Sequence, residues 1–218
     1  MSDAVLYDYW RSSSAYRVRI ALQLKGVAYR QVPVNLLVGE QRSAAHIARN
    51  AQGLVPALDI DGRTLTQSLA IIEYLDETRP DPPLLPADPA GRQRVRALSY
   101  VIAMEIHPVC NQSVARHAAS LTGDEATVKA WMHRFIPPGL AALERMLDAP
   151  ETGRFSHGDA VTMADLCLIP QIYNARRWEI ALDGLPRIGR IAQALESLEA
   201  FRVAHPDRIG PPPQSPAA

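Results

Sequence analysis

A run of prolines at residues 80–89, Pro-Asp-Pro-Pro-Leu-Leu-Pro-Ala-Asp-Pro, divides this sequence into two parts with different periodicities, and nothing else in it constrains the fold as much. Proline lacks an N–H and fixes φ, so neither a helix nor a central strand runs through such a segment. Before it, short strand patterns alternate with helical ones. Val5–Tyr9 reads as a strand, Ser14–Lys25 as a helix stopped by Gly26, and Tyr29–Leu36 as a second strand whose Pro33 suits an edge. A helix over Gln41–Arg49 follows, then Val55–Ile60, an Asp61-Gly62 turn and Thr64–Thr66, which is a hairpin signal. Ser68 is expected to cap a helix carrying Leu69, Ile72 and Leu75 that closes at Pro80. The order is β-α-β-α-β-β-α, and a helical crossover between the first two strands makes them parallel. After the prolines period two disappears. Gly91–Leu121, Asp124–Leu147, Thr162–Arg176 and Arg187–Phe201 carry apolar residues at three-to-four spacing, which is a helical bundle.

Several function classes are excluded by composition. The formal net charge is zero, so there is no footprint for nucleic acid or an anionic membrane surface. No apolar run reaches the length of a membrane span, and Asp3 and Asp8 disqualify a signal peptide. Cys110 and Cys167 have neither C-x-x-C nor metal-ligand spacing, which points to a cytosolic, reduced chain without structural zinc and excludes a dithiol redox enzyme.

The chemistry concentrates at residues 10–22, Trp-Arg-Ser-Ser-Ser-Ala-Tyr-Arg-Val-Arg-Ile-Ala-Leu. Ser12, Ser13 and Ser14 stand where the first strand hands over to a helix. A helix start offers unpaired N–H groups and partial positive charge, so a thiolate there is stabilised, and hydroxyls add donors. One serine in such a place also serves as an ordinary N-cap. A second piece lies at Leu54-Val55-Pro56, a proline entering a strand, where a cis and a trans peptide are both compatible with the sequence. Gln67-Ser68 opens another helix and is a second anion-binding start. Two helix starts and a strand edge suit an extended, charged, thiol-bearing peptide, and glutathione has that shape.

With these pieces the chain resembles the glutathione transferases, and more narrowly their zeta class, which includes the maleylacetoacetate isomerases and lies close to bacterial maleylpyruvate isomerases. The resemblance rests on residues 11–22, on Leu54-Val-Pro56 and on Gln67-Ser-Leu-Ala-Ile-Ile-Glu-Tyr-Leu75. It continues through residues 158–171 and Ala200-Phe-Arg-Val-Ala-His-Pro206. It implies a thioredoxin-like glutathione-binding domain over 1–82, a linker over 83–89, an all-helical substrate-binding domain over 90–208 and a flexible tail over 209–218. It also implies glutathione as cofactor, no metal, a cytoplasmic location, a homodimer, and a maleyl keto acid as the small-molecule substrate. Ser12, with Ser13 and Ser14, falls at the position that holds the thiolate. Val55 would pair with the cysteinyl unit, Pro56 would be cis, and Gln67 and Ser68 would hold the γ-glutamyl carboxylate, with Gln41 and Gln52 on the rest of the tripeptide. His107 and Asn111 match a segment lining the substrate pocket, Arg177 an arginine for the substrate carboxylate, and Arg11 is a further candidate for it.

Two positions depart from the class. Ser14 stands where many zeta enzymes carry cysteine, which removes protein thiol chemistry but leaves an isomerisation that needs none. Asn50-Ala51 replaces the usual Asn-Pro. The alternatives are a transferase or dehalogenase acting on α-halo acids, and a glutathione-binding protein without catalysis. Asp165, in Thr162-Met-Ala-Asp165, reads as a capping-box carboxylate and not a catalytic one, and Cys167 as core.

Overall fold

In the computed structural model, which describes residues 4–211, the chain divides into two compact units. The first comprises residues 4–84 with 198–211, and the second residues 85–197.

The first unit is built on a four-stranded sheet: β1 (Ala4–Asp8), β2 (Tyr29–Pro33), β3 (Ala57–Ile60) and β4 (Arg63–Thr66), in the order β2-β1-β3-β4. β1 and β2 are parallel, joined through α1 (Ser13–Leu24), and β3 pairs antiparallel with both β1 and β4. Pro33 therefore sits on an edge strand, where its missing N–H costs no ladder bond. The β3–β4 turn uses Asp61 and Gly62 at φ 52° and 72°, the left-handed pair that suits a two-residue hairpin. A 3₁₀ turn (Glu40–Arg42), the short α2 (Ala44–Ile47) and α3 (Ser68–Thr78) complete the unit's first stretch. The expected helix over Gln41–Arg49 is broken because Ser43 is extended, its ψ of 149° serving as the cap of α2.

Helix α1 is buried on every side from Ala15 to Leu22, although it carries Tyr16, Arg17 and Arg19. Their polar atoms need partners, and these come from far along the chain. The Arg19 guanidinium pairs with Asp8 at 2.6 Å and donates to the carbonyls of Ala204 and Trp10, each at 3.0 Å. The Tyr16 hydroxyl donates to the carbonyl of Phe201 at 3.3 Å. These bonds draw α10 (Glu199–Val203) and α11 (Pro206–Ile209) into the first unit, so the division differs from the expected helical domain over 90–208. Residues 82–84 are also tied to it. Lys25 reaches Asp76 at 2.8 Å and the Pro82 carbonyl at 2.5 Å, and Asp76 accepts from the Leu84 N–H at 2.7 Å. Of the expected tail, residues 212–218 lie outside the described residues.

The second unit is helical: α4 (Pro89–Tyr100), a π-helical segment (Val101–Ile106), α5 (His107–Val109), α6 (Gln112–Thr122), α7 (Ala126–Met146), α8 (Met163–Arg177) and α9 (Pro186–Glu196). The expected single helix over 91–121 is interrupted at Cys110-Asn111, where Asn111 turns extended with ψ 139° and caps α6. The expected helix over 187–201 likewise stops at Glu196, and Leu198 is extended before α10. Asp165 is fully buried and anchors the start of α8. Its carboxylate accepts the Ser156 N–H at 2.9 Å and the Thr162 N–H at 2.8 Å, a structural role as the capping-box spacing indicated. Cys167 is buried core.

Candidate active site

Ser12 is the N-cap of α1, with φ −68° and ψ 119°, and its oxygen accepts the Ala15 N–H at 3.2 Å. The Ser12 and Ser14 hydroxyls lie 3.1 Å apart, and Ser14 donates to the Val55 carbonyl at 3.0 Å. A hydroxyl has one proton, so with that of Ser14 spent on Val55, the bond between the serines is donated by Ser12. Ser13, half-buried at the first helical position, makes no side-chain hydrogen bond among the described residues. The first-turn amides divide in the same way. Ala15 donates to the Ser12 hydroxyl and Tyr16 to the Ser12 carbonyl at 2.9 Å, leaving the Ser13 and Ser14 N–H groups unclaimed. The helix start thus presents two amides and one hydroxyl, with Ser12 and Ser14 fixing its shape.

The bond from Ser14 reaches the loop before β3, where the Val55–Pro56 peptide is cis. Two buried side chains fix that loop from the other side. His46 Nε2 lies 2.8 Å, and Asn50 Nδ2 2.9 Å, from the Leu54 carbonyl. A carbonyl only accepts, so the proton of His46 is on Nε2. His46, on α2, and Asn50, in the loop after it, are not among the expected site residues; the signal available for them is a pair of polar side chains in the stretch preceding the proline.

At the second helix start the cap differs from expectation. Gln67, not Ser68, is the N-cap of α3, and it makes no side-chain capping bond. Its φ of 68° and ψ of 109° lie outside the regions L-residues prefer, a strain on the order of 1–3 kcal/mol that is found disproportionately at functional sites. Its amide nitrogen donates to Gln52 Oε1 at 2.6 Å. Ser68 is the first helical residue, buried, and its oxygen accepts from Arg17 Nη1 at 3.2 Å. Gln41 backs the same loop: its carbonyl lies 3.2 Å from where a Cβ on Gly53 would stand, an approach glycine permits at φ +62°. The Gln41 Oε1 atom is buried without a hydrogen bond, an acceptor lacking a donor. Ser12–Ser14, Gln41, Gln52, Val55, Pro56, Gln67 and Ser68 therefore lie in one unit, most of them linked by these bonds. Arg11 is exposed in the same unit, its guanidinium 4.0 Å over the Trp10 ring.

His107, Asn111 and Arg177 belong to the second unit. His107 is half-buried and directly follows the π-helical segment. Asn111 Oδ1 is engaged by the Ser113 N–H and hydroxyl, each at 3.0 Å, and its amide N–H groups have no hydrogen-bond acceptor among the described residues. Arg177 is the last residue of α8 and half-buried, whereas Arg176 is exposed and pairs with Glu196 at 2.5 Å. Helix α7 braces both segments. Trp131 Nε1 donates to the Val109 carbonyl at 2.9 Å, and His133 Nε2 donates to the Trp178 carbonyl at 2.7 Å. Burial pushes the Cys110 thiol up to about 11, so it stays protonated at neutral pH and is no nucleophile. Among the described residues no group of histidine, cysteine and acidic side chains has the arrangement to hold a metal ion, and no helix is long and apolar enough to cross a membrane.

The sheet order, the cis proline and the serine-rich start of α1 define a glutathione transferase fold, and residues 2–77 match the model of the glutathione S-transferase N-terminal domain. The maleylacetoacetate isomerase of Rhizobium meliloti strain 1021 is 61% identical over 211 residues, covering 96% of this chain and 99% of its own. A holo structure of a maleylpyruvate isomerase, described as a bacterial zeta-class glutathione S-transferase, superposes with a TM-score of 0.91 at 44% identity, covering 97% of this chain and all of that one. The maleylacetoacetate isomerase of Anaeromyxobacter dehalogenans, with dicarboxyethyl glutathione and citrate in its active site, has a TM-score of 0.84 at 47% identity, covering 98% of each chain. The chain belongs to the maleylacetoacetate isomerase family of zeta-class glutathione transferases.

Proposed function

We propose that this protein is a glutathione-dependent cis–trans isomerase converting maleylacetoacetate, or maleylpyruvate, to the fumaryl isomer. The observation that carries the reading is the bond from Ser14 to the Val55 carbonyl, which joins the serine helix start to the cis-proline loop. The residues present fit glutathione. The unengaged Ser13 hydroxyl and two amides suit a thiolate, the buried Gln41 Oε1 lacks a donor, and a second helix start opens at Ser68. When bound, glutathione supplies a thiolate that adds reversibly to the conjugated double bond and is released unchanged.

The protein's part is to hold charge and orientation. Ser13, with the amides of Ser13 and Ser14, stabilises negative charge at the sulfur position and so lowers the thiol pKa. Ser12 keeps the first turn in shape. Val55 pairs with the cysteinyl unit through its backbone, by its N–H and by the carbonyl lone pair that the bond from Ser14 leaves open. Gln67 and Ser68 take the γ-glutamyl carboxylate, and Gln41 and Gln52 the remaining polar groups. For the substrate, Arg177 and Arg11 pair with carboxylates, and the Asn111 amide and His107 donate to the carbonyl oxygen on which negative charge develops. Ser14 in place of cysteine does not obstruct this, since no step needs a protein thiol. A homodimer and a cytoplasmic location, both implied by membership of the class, complete the proposal. The test is an ultraviolet assay of both maleyl keto acids with and without glutathione. Turnover that depends on glutathione without consuming it is expected; consumption matching product would favour a conjugating enzyme instead.

A further inference from the structure

Arg17 is an unusual residue to find inside α1. It lies three positions beyond Ser14, it is 2% exposed, and its Nη1 donates to Oγ of Ser68, the first residue of α3. One buried cation therefore connects the helix whose start carries the serines with the helix whose start follows Gln67. The direction of the bond matters. Guanidinium only donates, so the Ser68 oxygen is the acceptor and the Ser68 proton points away from Arg17. Ser68 is itself only 6% exposed, and its hydroxyl proton has no acceptor among the described residues. A hydroxyl that accepts from a cation is polarised into a stronger donor. The buried charge also adds to the positive end of α3 at short range and in a poorly screened setting.

We infer that Arg17 is a positioning residue for the γ-glutamyl carboxylate of glutathione: it orients and polarises the Ser68 hydroxyl and supplies the buried positive charge behind it. This rests on the glutathione-binding reading above. Arg17 touches no ligand atom in this scheme; it acts through Ser68.

The experiment measures dissociation constants by calorimetry for glutathione and for an analogue lacking only the γ-glutamyl α-carboxylate, on wild type, Arg17→Met and Arg17→Lys. Arg17→Met is expected to weaken glutathione about tenfold, or about 1.4 kcal/mol, while changing the analogue less than twofold. Arg17→Lys, which keeps the charge, is expected to recover most of the loss. Equal loss of both ligands, or no loss of either, would overturn the inference. Should Arg17→Met not fold, the wild-type Arg17 side-chain resonances serve instead: a shift on adding glutathione that the analogue fails to produce supports the proposal, and identical responses overturn it. A wild type that binds glutathione no better than the analogue overturns the role of Arg17, whereas one that binds neither overturns the function proposed above and this inference with it.

Discussion

Ser12→Ala separates the two tasks of the serine helix start. The Ser12 oxygen accepts the Ala15 N–H at 3.2 Å and its hydroxyl is bonded to Ser14 at 3.1 Å. Losing an N-cap costs about 1 kcal/mol, and losing one further hydrogen bond about 1 kcal/mol more. Stability should therefore fall by about 2 kcal/mol, a lowering of Tm by about 4–8 °C for a chain of this size. The same change loosens the turn that presents the Ser13 and Ser14 amides. A charge-assisted hydrogen bond is worth about 1.5–3 kcal/mol, and about 1.4 kcal/mol is one pKa unit, so the bound thiol should titrate about one unit higher. The sign follows because losing donors to the anion favours the protonated thiol. The thiolate fraction at neutral pH drops, and the pH profile of kcat/KM moves to higher pH by the same amount. Thermal denaturation reads the first effect and the ultraviolet thiolate band of bound glutathione against pH reads the second. Ser13→Ala is the contrast: its hydroxyl has no partner to lose, so the thiol should shift with stability changed by less than about 0.5 kcal/mol. Unchanged stability in Ser12→Ala would refute the capping argument, and an unshifted thiol in both variants would refute the serine cradle.

Arg177→Ala should raise the KM for the maleyl keto acid by tenfold or more, on the order of the 1.5–3 kcal/mol of a charge-assisted bond, and leave glutathione affinity within about twofold; steady-state kinetics beside calorimetry checks it, and parallel losses would contradict the assignment. Gly139→Ala places a Cβ 2.4 Å from Ile106 Cγ1, inside the π-helical segment before His107. Such overpacking costs about 1–3 kcal/mol, and it should raise substrate KM more than it affects glutathione binding. The Cys110 thiol, pushed up to about 11 by burial, should alkylate slowly in the native protein near neutral pH and faster as pH approaches that value, followed by mass spectrometry. Alkylation at pH 7.5 as fast as that of a free cysteine would contradict its burial.

How much of this was legible in the sequence depends on whether the cause is local. The Asp61-Gly62 hairpin, the Thr162–Asp165 capping box and the edge position of Pro33 follow from bonds and torsions within a few residues, and each is found as read. The cis peptide at Pro56 was compatible with the sequence but chosen only by resemblance, because a proline's isomer is set by its tertiary surroundings. Arginines normally read as surface residues, so the burial of Arg17 and Arg19 had no local signal; their partners Ser68 and Asp8 become visible only once the sheet and α3 are assembled. The return of residues 198–211 to the first unit is hidden for the same reason, since it depends on carbonyls about 185 residues away from Tyr16 and Arg19. The interruption before His107 did leave a trace in Pro108. That residue cannot donate to Met104 and its ring crowds the carbonyl there, and the π-helical turn over Val101–Ile106 absorbs the conflict. Gln67 gave no warning, because glutamine shows no preference for its positive φ.

The structure of this protein crystallised with glutathione would decide most. The sulfur is expected within about 3.5 Å of the Ser13 amide or hydroxyl, a reach set by charge-assisted bonding to sulfur, with the γ-glutamyl carboxylate against Ser68. A sulfur lying away from Ser12–Ser14, with the tripeptide bound elsewhere, would contradict the assignment of the first turn of α1 as the thiolate site.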